Sequence, residues 1–438
     1  MVVSLSAVWG AGVSAALLAL FALLPLQWIA VPAIPFGVGS LHELAIACFT
    51  GYVLVRLRAR TYAPPLRTGA AFVVANLYML GAIAASQFYL GLTQVPAAKH
   101  LFYLVACIAI AGFFCRAVRA PDSRVIVAAR SLSVVLCMSL LVGFGVAMAV
   151  NSVNPVAVLG MTVAAGDPEI FQKEVFKSAF PGFGLNEDEV AGNLRHEIFG
   201  ALLLSMLISS WAMRVGADPT RRQERLHRLS IVLGVVLLVL SMSRSVLLAA
   251  LAWPVLAALR SMRRGELSGR QLGIVCASVV AFGGVAASGL GAVIYNRFFT
   301  DTTGYESRAD NYSNAVDAVA DHWVTGGYDT VGVTTHNLVF DTLLRNGIFA
   351  ALPALLLVCI IAATFGWLVA GIDRLPPAMV PVTAAVGLPL VRMLTNGGGQ
   401  IPPVGWVAFG FVLGILAARR VTSPAGSPPR SEAALAGV

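Results

Sequence analysis

The chain has 438 residues, of which 58% are hydrophobic and only 12% charged, and its mean hydropathy is +0.83. A water-soluble chain of this length would carry about twice that charged fraction, so composition excludes an ordinary soluble enzyme and predicts an all-α polytopic membrane protein, helix packed on helix in lipid. The net charge of +9 comes mostly from Arg between apolar runs, and it carries no nucleic-acid signal.

A bilayer core of about 30 Å needs roughly 20 apolar residues per helix. Residues 1–150 hold five such runs, near 9–32, 41–55, 69–90, 100–115 and 129–150. The first lacks a basic leader and a small-residue cleavage site, so it reads as a span rather than a removed signal. The second ends in Arg56, Arg58 and Arg60, and the fourth in Arg116, Arg119 and Arg124; those ends are expected on the cytoplasmic side. Residues 151–195 form an acid-rich loop with Asp167, Glu169, Glu174, Glu187, Asp188 and Glu189, expected outside.

Residues 196–293 hold spans six to nine. The sixth, 196–213, runs into Arg214, Arg221, Arg222, Arg225 and Arg228. The stretch 229–260 is too long for one span and is interrupted at Ser241-Met242-Ser243-Arg244-Ser245. With basic clusters on both flanks it reads as a hairpin, and Arg244 falls at its outer turn. After the ninth run, 271–293, residues 294–336 make the second long outer loop. Residues 337–420 hold the last three spans, with Arg392 near the outer end of the eleventh and Arg419 and Arg420 closing the twelfth. The Pro/Ser/Gly-rich tail, 421–438, is expected to be disordered and cytoplasmic. The sum is about twelve transmembrane helices, both termini inside, and two long periplasmic or extracellular loops.

The six cysteines lie in or beside apolar runs without a Cys-x-x-Cys pair and read as small buried hydrophobes. No metal-binding cluster stands out, so neither a metal nor a cofactor is expected.

The most polar long segment between two apolar runs is Glu306–Ala350. Arg308 heads a helix-like stretch in which Ala309, Ala315 and Val319 share one face; the Gly pair Gly326-Gly327 follows, then His336-Asn337 where the next apolar helix begins. Ionisable groups at a membrane boundary are functional-site candidates by default. Arg244, at the tip of an apolar hairpin, either snorkels or grips an anion; the planar five-donor guanidinium suits phosphate oxygens. Arg308 either does the same or pairs with Glu306 or Asp310. Arg195, beside His196 and Glu197, reads as a phosphate ligand or an interface anchor, and Arg392 as a further ligand or a snorkelling side chain. His336 can exchange a proton near neutral pH. Asn337 orients a sugar or phosphate, or caps the helix that follows. His196 and His322 read as surface or interface residues. Guanidinium groups can neutralise a diphosphate leaving group without a metal.

His336-Asn337, nine residues, then Gly347 resembles the H-[NSQ]-x9-G-x-x-[GTY] signature of bacterial O-antigen ligases, with Ala350 at its last position. Arg244-x3-Leu248 resembles the same family's R-x3-L signature, and the run from Asp321 to Asn337 is similar to a passage shared with Wzy-type polymerases and protein oligosaccharyltransferases. The likeness covers the order of roughly the last 250 residues. It implies a C-type glycosyltransferase architecture and an undecaprenyl-diphosphate-linked glycan donor. It also implies a glycan, lipid or protein acceptor and an active site on the outer face of the bacterial cytoplasmic membrane. In that reading Arg244, Arg308 and His336 are catalytic, while Arg195, Asn337, Arg392 and Gly327 bind substrate. The alternatives are a Wzy-type polymerase, a transporter or flippase for a lipid-linked anion, and a non-catalytic scaffold. The chain has no clear internal repeat, which weakens the transporter reading.

Overall fold

The computed structural model describes residues 14–22, 30–33, 37–56, 67–119, 123–150, 152–167, 170, 174, 189–241, 243–266, 303–328, 335, 337–395 and 403–422. At some helical positions, Arg195, His196, Arg244 and Arg308 among them, only the backbone is described. His336, the apolar run 271–293, most of 168–188, the 396–402 loop and the tail after residue 422 lie outside the described residues.

The first helices in chain order are α1 (14–22), α2 (Leu41–Arg56), α3 (Arg67–Tyr89), α4 (Val95–Arg119) and α5 (Ser123–Val150). Next come α6 (Pro155–Ala165), α7 (Glu189–Ala212), α8 (Arg221–Leu240), α9 (Arg244–Arg264) and α10 (Thr303–His322). The last are α11 (Leu338–Asn346), α12 (Ile348–Ala370), α13 (Met379–Thr395) and α14 (Pro403–Thr422). Among the described residues one short antiparallel ribbon, β1 (Ala30–Ala33) with β2 (Gly37–Ser40), is the exception to helix. The first apolar run is therefore not one continuous helix to residue 32.

Three helices make the centre. Every residue of α7 from Glu197 to Ala212 is buried, as are 379–389 of α13 and 404–416 of α14. A helix that is apolar on all sides has to be covered on all sides. Around them α3, α5, α8, α9 and α12 turn large apolar side chains outward, including Val74, Tyr78, Val142, Leu229, Leu251 and Leu356. Such an exterior has no stable interface with water. Among the described residues five helices are long and apolar enough to cross a membrane: Thr68–Tyr89, Val95–Arg119, Arg124–Val146, Ser245–Arg264 and Ile348–Ala370. The chain is a helical membrane protein.

The closest helix pair is α4 with α14. A Cβ added at Gly410 would stand 2.8 Å from the Cys107 carbonyl oxygen, and one at Gly414 only 2.5 Å from that of Ala111. This Gly-x3-Gly stripe faces the small residues Cys107 and Ala111, so the backbones approach where apolar attraction alone would not hold helices together in lipid.

Helix direction is legible from where guanidinium groups go. The buried Arg130, near the start of α5, donates from Nε to Ala212 O and from Nη2 to Val215 O, each at 3.0 Å, and also to Ala217 O. Arg214 donates to Ser210 O (3.1 Å), Arg119 to Ala417 O (3.5 Å), and Arg263 to Val369 O and Ala370 O (3.0 and 3.2 Å). Arg260 reaches Leu375 O at 3.4 Å. Several of these acceptors, Ser210 O, Ala212 O, Val369 O and Ala370 O, sit in the last turns of α7 and α12, at the negative end of each helix dipole. Four members of the expected basic clusters, Arg119, Arg214, Arg260 and Arg263, thus donate to backbone carbonyls at one end of the bundle. We call this the arginine end.

Three departures from the expected spans have local causes. The expected hairpin breaks at 241–243, but its arms splay, α8 lying on α5 and α7 and α9 on α13. The acid-rich loop contains an apolar helix, α6, whose N-cap Asn154 accepts from Val156 N and Ala157 N. The tenth run is split at Gly347 into α11 and α12.

Replacing Arg130 by Met removes the guanidinium donor from three carbonyls, Ala212 O, Val215 O and Ala217 O. Loss of stability by roughly 3 kcal/mol is expected, read as a lowered thermal midpoint in detergent. Arg374→Met, at a side chain that is 90% exposed, should change stability by less than about 0.5 kcal/mol.

Candidate functional site

The helices that end at the arginine end begin at the other. There α2, α4, α7, α9, α12 and α14 start and α3, α5, α8 and α13 finish. Arg244 is the first residue of α9, a helix of 21 residues, so it stands roughly 30 Å from the arginine end. Arg195 lies near the start of α7 and Arg392 near the end of α13. All three belong to the end opposite the arginine cluster.

The same end carries a backbone clasp built from three glycines. After α10 the chain runs past the C-terminus of α11. Gly327 N donates to Arg345 O (3.0 Å), Tyr328 N to Leu344 O (3.1 Å), and Ile348 N to Trp323 O (2.7 Å). Ser86 of α3 ties the clasp to the bundle, its Oγ donating to Thr325 O at 2.8 Å. Gly326, Gly327 and Gly347 have φ of +76°, +97° and +77°, in the region that a side chain disfavours. Space forbids a side chain as well. A Cβ at Gly326 would lie 2.3 Å from Arg345 O, and one at Gly347 2.0 Å from Val324 O. The Gly pair and the Gly of the nine-residue spacing are thus two halves of one contact.

The clasp brackets residues 329–336. Thr335 N and Oγ1 both donate to Asp341 Oδ1, at 2.8 and 2.7 Å, and Asp341 is fully buried. Asn337 is the N-cap of α11, its Oδ1 accepting from Val339 N (3.0 Å) and Phe340 N (3.3 Å). The residues immediately before and after position 336 are each held by α11, whose dipole also favours Asp341 in its first turn. Of the two readings of Asn337, the cap is the one observed. α10 rests on α11 through the buried Ala315 and through Tyr312, whose ring lies 6.0 Å from that of Phe340.

Arg392 does not snorkel. It is buried, and its guanidinium donates to Glu197 Oε1, while Glu197 Oε2 accepts from Val404 N at 3.2 Å. One carboxylate thus joins α7, α13 and α14 two residues from Arg195. Removing one partner of such a pair strands a buried charge, at a cost of about 3–5 kcal/mol. A second polar group sits nearby: Tyr103 donates to Glu43 Oε1 at 2.7 Å, and Lys99 pairs with the same oxygen at 3.3 Å.

Sequence reasoning passed over two groups that belong here. Asp341 stands four residues after Asn337, with no local signal beyond helix-dipole preference. His322 read as a surface or interface residue; its Nδ1 lies 3.1 Å from Gly326 O and its ring 5.5 Å from that of Tyr328. A carbonyl only accepts, so Nδ1 carries the proton. The described geometry brings together Gly327, Asn337 and, unexpectedly, His322; Arg392 belongs to a neighbouring buried pin. The side chains of Arg195, Arg244 and Arg308, and all of His336, lie outside the described residues. No protein-family model matches the chain, and no curated protein matches it.

Gly347→Ala forces a methyl into the Val324 carbonyl, so protection of the Gly327 and Tyr328 amides from hydrogen exchange should be lost. Gly366→Ala, where a Cβ meets nothing within 4 Å, should be neutral or gain up to about 1 kcal/mol. Equal protection in both variants would contradict the clasp.

Proposed function

We propose that the chain is a membrane glycosyltransferase of the O-antigen ligase and Wzy polymerase type. It transfers a glycan en bloc from undecaprenyl diphosphate to an acceptor hydroxyl at the outer face of the bacterial cytoplasmic membrane. The single observation that carries this reading is the clasp. The motif order Arg244, Arg308, Gly326-Gly327, His336-Asn337, Gly347 ends in a contact that has no room for a side chain at Gly326 or Gly347. The chain is also held directly before and after position 336. A motif whose glycines are required by geometry is not a chance string of letters.

Two further observations support it. Arg244 opens a helix at the end where several other helices also begin, and helix N-termini together with guanidinium groups favour a multiply charged anion. At the opposite end Arg119, Arg130, Arg214, Arg260 and Arg263 already donate to backbone carbonyls. The full topology belongs to the proposal: about twelve spans, both termini with the arginine end in the cytoplasm, and two long loops outside.

The chemistry follows from these roles. The acceptor oxygen attacks the anomeric carbon from the face opposite the diphosphate. The new carbon–oxygen bond forms as the old one breaks, which inverts the anomeric centre. The acceptor proton passes to His336, and undecaprenyl diphosphate departs with its charge held by Arg244 and Arg308. Arg195 binds the glycan or the distal phosphate. Gly327 and Asn337 act through the shape of the clasp. No metal or cofactor enters this scheme.

The test is transfer from a purified undecaprenyl-diphosphate glycan in nanodiscs. His336→Ala should lower kcat by about a hundredfold or more. Arg244→Lys should not restore Arg244→Ala, because an ammonium lacks the planar fork. Turnover within about twofold of wild type in both His336→Ala and Arg244→Ala would reject the proposal.

A further inference from the structure

The first turns of α8 carry Arg221, Arg222, Arg225 and Arg228, all exposed. Their position is against local preference. The N-terminal turn of a helix is its positive end, where cations are destabilising and anions are favoured. Thr220 and Gln223 form a reciprocal capping box that serves two of the backbone donors there, Gln223 N and Thr220 N. Arg228 pairs with Glu224 at 3.2 Å. Among the described residues Arg221, Arg222 and Arg225 have no acidic partner. Among the described residues nothing accounts for three guanidinium groups at this end of this helix.

Their placement on the helix surface says what does. Exposed positions along α8 continue from the arginines into Leu226, Leu229, Val232, Val236 and Val239. Arg222, Arg225 and Arg228 stand four residues before Leu226, Leu229 and Val232, so each guanidinium lies one turn along the same face from an outward apolar side chain. The other face is committed to protein: His227 Nε2 lies 3.3 Å from Ser210 Oγ of α7, and Ser230 Oγ lies 2.8 Å from Ser133 Oγ of α5. One side of α8 therefore packs on the bundle. The outward side passes within one turn from apolar to cationic. That is the profile of the boundary between acyl chains and headgroups.

We infer that this row is a binding site for anionic phospholipid headgroups. The phosphate oxygens are received by Arg221, Arg222 and Arg225 at the positive end of α8, and the acyl chains lie along Leu229, Val232 and Val236. An acidic segment of a soluble protein would match the charge alone. The apolar stripe directly beneath it fits a lipid and leaves a soluble partner nothing to bind. This inference rests on the chain being a membrane protein and is independent of any transferase activity.

The full-length protein is placed in nanodiscs of phosphatidylcholine alone or with phosphatidylglycerol, and its thermal midpoint is followed by tryptophan fluorescence. Phosphatidylglycerol should raise the midpoint at low salt, and the rise should shrink at high salt as screening sets in. The R221Q/R222Q/R225Q protein should lose most of the rise, while R374Q keeps it. Single substitutions should each remove part of the rise, which keeps the test decisive if the triple variant folds poorly. No rise in the wild type, or an equal rise in the substituted proteins, overturns the site.

Discussion

A carbonyl at the end of a helix in apolar surroundings has to find a donor, and here the donors are guanidinium groups. Arg130, Arg214 and Arg263 reach carbonyls in the last turn of α7 or α12, and Arg119 reaches Ala417 O in the second half of α14. This one demand sets the polarity of the bundle. Arginines gather where helices end, each joining its own helix to the end of a neighbour or closing its own last turn. The distribution of positive charge and the satisfaction of backbone groups are the same fact. The other end is where α2, α4, α7, α9, α12 and α14 start.

At that other end the connections are of a different kind. The Glu197–Arg392 pair and Val404 N hold the three central helices at one level. The glycine clasp fixes α11 against the end of α3 through Ser86 and Thr325. Its rigidity comes from close backbone contact, so it leaves side chains around it available for chemistry. Asp341 and Asn337 then hold the chain on both sides of position 336. A polar site at a membrane boundary needs that kind of support, since loose groups would be solvated separately and would not converge on a ligand.

Much of this was legible in the letters. The break before Arg244, the basic flanks of the apolar runs and the capping role open to Asn337 all follow from local chemistry. The spacing from His336 to Gly347 was legible as a signature, but its reason was not: Gly347 is required by the Val324 carbonyl, which lies 23 residues earlier in the chain and only meets it in three dimensions. The same limit hid Gly410 and Gly414, whose need for a bare Cα comes from α4. Arg392 could not be read correctly without Glu197, nearly two hundred residues away. The apolar helix α6 was missed because acidic neighbours dominated the loop around it. In each case a local pattern named a residue type, and a distant partner decided its role.

The most direct test of the account is a cryo-electron microscopy structure of the protein in a nanodisc with undecaprenyl diphosphate bound. The account predicts both phosphates at the end opposite the arginine cluster, in hydrogen-bond contact with Arg244 and Arg308, with the imidazole of His336 facing the same cavity. Phosphates bound among Arg130, Arg214 and Arg260, or residues 244, 308 and 336 opening into separate cavities, would contradict it.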